Sequence, residues 1–119
     1  MNIKRIKGDA GEELAAKWLK RRRYQIIERN FSCRWGEIDV IAQKGGVLCF
    51  VEVKTRAADS FGRPAEAVDY RKQQCLLKTA SVYLAQHPCD LQPRFDVAEV
   101  VLDGGRCLEI NYIENAFGA

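Results

Sequence analysis

A chain of 119 residues, 47% hydrophobic and 29% charged, has the length of one domain and an ordinary globular composition. That excludes a disordered chain or a coiled coil, and no apolar run approaches the roughly 18 residues of a transmembrane helix. The net charge is +3, but residues 1–34 hold ten basic and four acidic side chains, a net +6 that leaves −3 for the rest. A basic N-terminal third suits a phosphate backbone, although the run Lys20-Arg21-Arg22-Arg23 reads equally as a solvated helix face.

Met1 to Gly8 contains basic residues with no apolar stretch after them, so no secretory signal is expected. Five cysteines (Cys33, Cys49, Cys75, Cys89 and Cys107) are odd in number and widely spaced, without a C-x-x-C pair. Neither a disulfide framework nor a zinc site fits; reduced, mostly buried thiols in a reducing cytoplasm are expected. The single histidine, His87, stands before Pro88 and reads as a helix-terminal surface residue rather than a catalytic base. A metal would therefore be held mainly by oxygen, which points to magnesium or manganese.

In chain order, Gly11 to Arg22 places Leu14, Ala15, Trp18 and Leu19 at helical spacing. Tyr24 to Asn30 reads as a short strand, as do Glu37 to Ala42 and Val47 to Lys54. Thr55 to Tyr70, with Gly62 and Pro64, reads as an irregular loop. Arg71 to Gln86 is a second helix with Leu76, Leu77, Ala80, Tyr83 and Leu84 on its apolar face, stopped by Pro88. Phe95 to Leu102 and Cys107 to Ile113 are strands joined by a turn at Asp103-Gly104-Gly105-Arg106. The expected order is α-β-β-β-α-β-β in a single domain over residues 1–119, a mixed α/β layer structure. Trp18, Tyr83 and Phe95 sit on apolar stripes and read as core.

The informative stretch runs from Gly36 to Lys54. Gly45-Gly46 signals a two-residue hairpin, because both central positions of a type I′ turn need positive φ. Lys44 then faces Val47, Asp39 faces Glu52, and Glu37 faces Lys54. Alternation puts Glu37, Asp39, Glu52 and Lys54 on one face and Ile38, Val40, Val51 and Val53 on the other. Carboxylates directly opposed on adjacent strands destabilise a sheet, a local rule that tends to be broken at functional sites. A shared divalent cation removes the repulsion, and Lys54 could then stabilise charge developing on phosphorus. Glu37 is an accessory carboxylate of the same face. The competing reading is a solvated sheet face whose Lys54 offsets the acids. Glu12 borders the buried side of the first helix with Ala15, Ala16 and Leu19 and needs a partner there. In isolation it also fits a first-turn glutamate complementing the helix dipole.

The ordered series Gly8-x-x-Gly11-Glu12, Arg29-Asn30, Gly36-Glu37-Ile38-Asp39-Val40-Ile41-Ala42, Phe50-Val51-Glu52-Val53-Lys54-Thr55-Arg56, Phe61-Gly62-x-Pro64-x-Glu66-Ala67-Val68, Lys72 and Arg94-Phe95-Asp96-Val97 resembles the bacterial YraN-like family of small uncharacterised proteins. That family is similar to archaeal Holliday-junction resolvases and to the restriction-endonuclease-like core of the PD-(D/E)xK nucleases. The resemblance implies a twisted mixed sheet flanked by helices. It implies Glu12 as a helix-borne catalytic acid, Asp39, Glu52 and the Val53 carbonyl as metal ligands, and Lys54 as the catalytic lysine. One position departs from the pattern: Ile38 stands where a proline usually precedes the aspartate. Around this site Arg56, Arg63, Arg71 and Lys72, with Arg22 on the basic helix, could grip a nucleic-acid backbone. Trp35, just before the hairpin, could stack on a base or anchor its loop.

The expected function is magnesium- or manganese-dependent hydrolysis of phosphodiester bonds in nucleic acid, most naturally structured or branched DNA, with no membrane partner. A resolvase-like activity needs two active sites and hence a homodimer. The alternatives are a non-catalytic nucleic-acid-binding module on a nuclease fold, or an interaction module that docks an acidic partner on its basic helix.

Overall fold

The computed structural model describes residues 3–58 and 68–118, with side chains from residue 10 onward. Seven elements follow one another: α1 (Ile3–Arg21), β1 (Gln25–Cys33), β2 (Gly36–Lys44), β3 (Val47–Ala57), α2 (Tyr70–Gln86), β4 (Gln92–Asp103) and β5 (Arg106–Phe117). The five strands form one mixed sheet in the order β1-β2-β3-β4-β5. All neighbours are antiparallel except β3 and β4, which run parallel. A parallel pair needs a long crossover, and α2 lies in it. This is the expected α-β-β-β-α-β-β arrangement of a mixed sheet flanked by helices. The loop reading for Gly62 and Pro64, and the position of Arg63, lie outside the described residues.

The two sheet faces bury separate apolar clusters. On one, α1 contributes Ala15 and Leu19 against Val40, Cys49, Val51 and Ala98. On the other, α2 contributes Leu76, Ala80 and Tyr83 against Ile41, Phe50 and Val97. Alternation along β3 decides the assignment: Cys49 and Val51 point to α1, Leu48 and Phe50 to α2. Each such buried aliphatic side chain contributes about 1.5–3 kcal/mol relative to exposure. Tyr83 is core as expected, whereas Trp18 and Phe95 are only partly buried against these clusters.

Both helices end on identifiable signals. At the end of α1, Tyr24 N–H donates to Leu19 O and Arg23 N–H to Lys20 O, the paired bonds of a Schellman cap. Arg23 accordingly takes φ +68°, a conformation usually left to glycine. For α2, Asp69 is the N-cap and its side chain accepts from Lys72 N–H at 2.8 Å. His87 is the C-cap before Pro88, with its ring stacked on Tyr83. α1 begins at Ile3, eight residues earlier than the apolar spacing indicates. Gly11 therefore lies inside the helix, where an added Cβ would meet the Thr55 side chain of β3. Its missing side chain lets the helix lie close to the sheet.

The cysteine expectation needs correcting. All five thiols are free, but only Cys49 is buried; Cys33, Cys75 and Cys107 are half-buried and Cys89 is exposed. Among the described residues, no helix is long and apolar enough to cross a membrane.

Candidate functional site

The hairpin between β2 and β3 has the expected register, Lys44 with Val47 through Val40 with Val51, and there the pairing stops. In a two-residue hairpin the residues flanking the turn exchange both backbone bonds, and every second pair repeats this. Val53 would next exchange bonds with Ile38. Instead β2 departs from β3: Ile38 pairs with Phe31 of β1, and the Val53 amide donates to Asp39 Oδ2 at 2.8 Å. Asp39 thus replaces a missing rung with its side chain.

Three expectations change with this departure, the first being the direct pairing of Asp39 with Glu52, which falls beyond the last rung at Val40 and Val51. Ile38 does not share a face with Val40; it joins Phe31 in the α2-side cluster, while Val40 stays on the α1 side. The β1–β2 ladder is itself irregular, with a register shift between Ile26 and Glu28 and a φ of +57° at Asn30. Glu37 does not oppose Lys54 either; it pairs with Ser32 of β1.

The opening left between the strands gathers acids from three elements. Glu12 of α1 and Glu37 and Asp39 of β2 place carboxylate oxygens within 4.8 Å of one another. With its amide nitrogen turned toward them, Asn30 donates to Glu12 Oε2 at 3.0 Å and to Glu37 Oε1 at 2.9 Å. Glu52 of β3 adds a fourth carboxylate and is only 6% exposed. Glu37, Asp39 and Glu52 line one cavity of about 400 Å³ with Trp35, Gly36, Lys72, Cys75 and Leu76. Asp39 and Glu52 therefore open on the same side of the sheet.

Burial, and then the charges of Glu12 and Glu37 with a hydrogen bond shared with Glu12, push the Asp39 carboxyl up to about 7 against the lowering pull of the Val53 amide. The nearby Glu12 and Glu37 carboxylates thus make the ionised form of Asp39 costly. Glu52 is raised too, by burial and then by Asp39, with Lys72 and Lys54 opposing. Glu52 Oε1 faces Lys72 Nζ at 3.1 Å and Lys54 Nζ at 3.8 Å. Its other oxygen, Oε2, is buried with no hydrogen-bond partner among the described residues. Although burial pulls the Lys72 ammonium down, the charge and hydrogen bond of Glu52 raise it on balance.

Glu12, Glu37, Asp39, Glu52, Lys54 and Lys72 thus converge. The dipole reading of Glu12 fails, because the helix starts at Ile3 and Glu12 lies well beyond its first turn. Other expected backbone contacts lie elsewhere. Arg56 donates through Nε to the buried Glu99 at 2.8 Å. Arg71 is exposed on the first turn of α2. Arg22 lies at the far end of α1, its guanidinium 3.8 Å from the centre of the Trp18 ring.

Two features escaped sequence reasoning. Asn30 bridges two of the acids; the sequence marks it by its place in the family series and by the tolerance of asparagine for positive φ, neither of which gives it that role. Asp96 is wholly buried and accepts from Tyr112 Oη at 2.6 Å, Asn115 N–H at 2.9 Å and the Arg94 guanidinium at 2.9 and 3.0 Å. That network ties β4 to β5 away from the cavity, and Arg94 also reaches Tyr24 and Cys49.

The sequence model of the uncharacterised protein family UPF0102 matches residues 11–100. A UPF0102 protein of Caldanaerobacter subterraneus subsp. tengcongensis is 46% identical over 117 residues, covering 96% of each chain. One from Symbiobacterium thermophilum is 50% identical over 113 residues, covering 94% of this chain and 96% of its own. A third, from Geobacter metallireducens, is 46% identical over 111 residues, or 92% of this chain and 90% of its own. With a match over most of its length and relatives this close, the chain belongs to the uncharacterised protein family UPF0102.

Proposed function

We propose that this protein hydrolyses phosphodiester bonds in structured DNA with the help of magnesium or manganese. The observation that carries the reading is Glu52 Oε2, a buried carboxylate oxygen without a hydrogen-bond partner among the described residues, beside an Asp39 carboxyl raised to about 7. Although Lys72 and Lys54 face Oε1, a buried carboxylate oxygen left without a hydrogen bond among other acids is costly unless a further group completes the site. The donors are all oxygens, which suits a hard divalent cation. Asp39 and Glu52 would hold it, with the Val53 carbonyl, which leaves β3 on the same edge as the amide that reaches Asp39. When bound, such an ion supplies positive charge to the phosphoryl oxygens and lowers the pKa of attacking water.

The chain's own residues do the rest. Lys54 brings a positive charge to the cavity edge and stabilises charge developing on phosphorus as water attacks in line. Lys72 holds Glu52 in place and can turn to a phosphate once the carboxylate is otherwise engaged. Glu12, whose carboxylate lies within 4.8 Å of those of Glu37 and Asp39, is placed to take a proton from the attacking water. The similarity of YraN-like proteins to Holliday-junction resolvases supports the choice of nucleic acid as substrate, by analogy of fold.

The test is a cleavage panel of single-stranded, duplex, flap and four-way-junction DNA with magnesium or manganese. Cleavage by wild type and none by Asp39→Asn or Glu52→Gln is expected. Binding without cleavage by any of the three would favour a non-catalytic binding module.

A further inference from the structure

Trp35 stands at the mouth of the acidic cavity on a turn that is firmly held. Cys33 and Gly36 pair across the two-residue turn Arg34-Trp35, and the Trp35 amide donates to Cys33 Sγ at 3.4 Å. Gly36 has φ +151°, and a Cβ there would lie 3.5 Å from Thr79 Oγ1 and 3.8 Å from Cys75 Cβ of α2. The turn backbone is packed against α2 at a position reserved for glycine. Trp35 is nevertheless 37% exposed and lines the cavity with Asp39 and Glu52.

An indole that only anchored a loop would be covered by apolar side chains. This ring carries two cationic heads: Arg34 Cζ lies 4.5 Å from its centre and Lys78 Nζ 4.4 Å. An exposed cation–π contact is weaker than the stacking of a nucleobase on an aromatic ring. A base can therefore displace either cation from the ring, and each displaced cation remains within reach of the flanking phosphates. An aromatic ring among cationic side chains is a pattern of single-strand recognition. In a continuous duplex both faces of each base are covered by its neighbours, so the ring has no free face to meet.

Resting on the nucleic-acid reading above, we propose that Trp35 is the stacking platform for an unpaired nucleobase beside the scissile phosphate. The substrate is then a DNA strand whose bases are unpaired at the cut, such as a flap, a single strand or an opened junction, rather than continuous duplex.

Binding without metal separates this proposal from hydrolysis. A short oligothymidylate and a blunt duplex of equal length are titrated in chelator, following anisotropy of the DNA and tryptophan emission of the protein. The chain has two tryptophans, Trp18 and Trp35, so the difference between wild type and Trp35→Phe isolates Trp35. The expected result is saturable quenching by the single strand that Trp35→Phe lacks, and about tenfold weaker single-strand binding by Trp35→Ala with duplex binding unchanged. Trp35→Phe, which keeps an aromatic face, should retain most of the single-strand affinity. Equal weakening of both DNAs by Trp35→Ala, or single-strand binding without quenching, would overturn the proposal. A protein that stacks the strand on Trp35 but cuts nothing would end the hydrolase reading and leave the platform standing. Equal cleavage preferences in wild type and Trp35→Ala would end the platform and leave hydrolysis; wild type binding neither DNA would end both.

Discussion

The backbone amide of Val53 donates to Asp39 Oδ2 at 2.8 Å, where an unbroken hairpin would give it to Ile38. Asp39 is thereby both a structural acceptor and a crowded acid, and its pKa moves from 3.8 to about 7 on folding. Because the folded state prefers the protonated form, the cost is absent below about pH 4, grows as pH rises toward 7 and is constant above. The upper bound is about 4 kcal/mol. Asp39→Asn keeps an acceptor for Val53 and removes the titration. Urea unfolding of the metal-free protein should show wild type losing stability from pH 4 to 7.5 relative to the variant. Parallel curves would contradict the crowding.

Divalent metal should reverse that loss. Near pH 7.5, saturating magnesium or manganese should raise the melting temperature of wild type by about 5 °C, in proportion to the free energy of binding. Asp39→Asn and Glu52→Gln should show little or no rise. Calorimetric titration checks the same point directly, and equal heats from wild type and Asp39→Asn would remove the site.

Lys54 and Arg22 should fail in different ways. Lys54 Nζ is 3.8 Å from Glu52 Oε1, at the proposed centre. Lys54→Ala should lower turnover about a hundred- to thousandfold with a smaller effect on binding. Arg22→Ala should weaken affinity across all sequences and flatten its salt dependence, with turnover at saturation nearly unchanged. The same modest affinity loss from both variants would count against Lys54 as a catalytic group.

The Asp96 network governs stability. Removing the buried carboxylate in Asp96→Ala strands the Arg94 guanidinium and should cost about 3–5 kcal/mol in urea unfolding. Tyr112→Phe loses one charge-assisted bond and should cost about 1.5–3 kcal/mol. A Tyr112→Phe effect equal to that of Asp96→Ala would mean that the network is not centred on the carboxylate.

Much of this arrangement was legible in the sequence. Gly45-Gly46 was enough to set the β2–β3 register, since a two-residue loop leaves one pairing and a slip would turn every side chain over. With the register came the shared side of Asp39 and Glu52. The departure of β2 from β3 was not legible, because nothing in the stretch from Glu37 to Ala42 marks where the ladder ends. The Lys72–Glu52 pair joins a helix to a strand across the crossover, a contact that periodicity within either element cannot reveal. The early start of α1 was hidden by Gly8 and Gly11, poor helix formers by propensity. At Gly11 the close approach to Thr55 overrides that preference.

Because α1 runs unbroken from Ile3 to Arg21, Glu12 and the basic run at the helix end belong to one rigid rod. From Glu12 to Arg22 the axial rise is about 15 Å, close to four or five nucleotides of a strand at roughly 3.4 Å each. For a hydrolase whose substrate lies along this helix, the rod is a ruler. DNA ending fewer than about four nucleotides past the cut would not reach Arg22, so for those short strands Arg22→Ala would bind as wild type does. Longer strands would show the full penalty, and the length at which the two affinity curves separate would measure the helix.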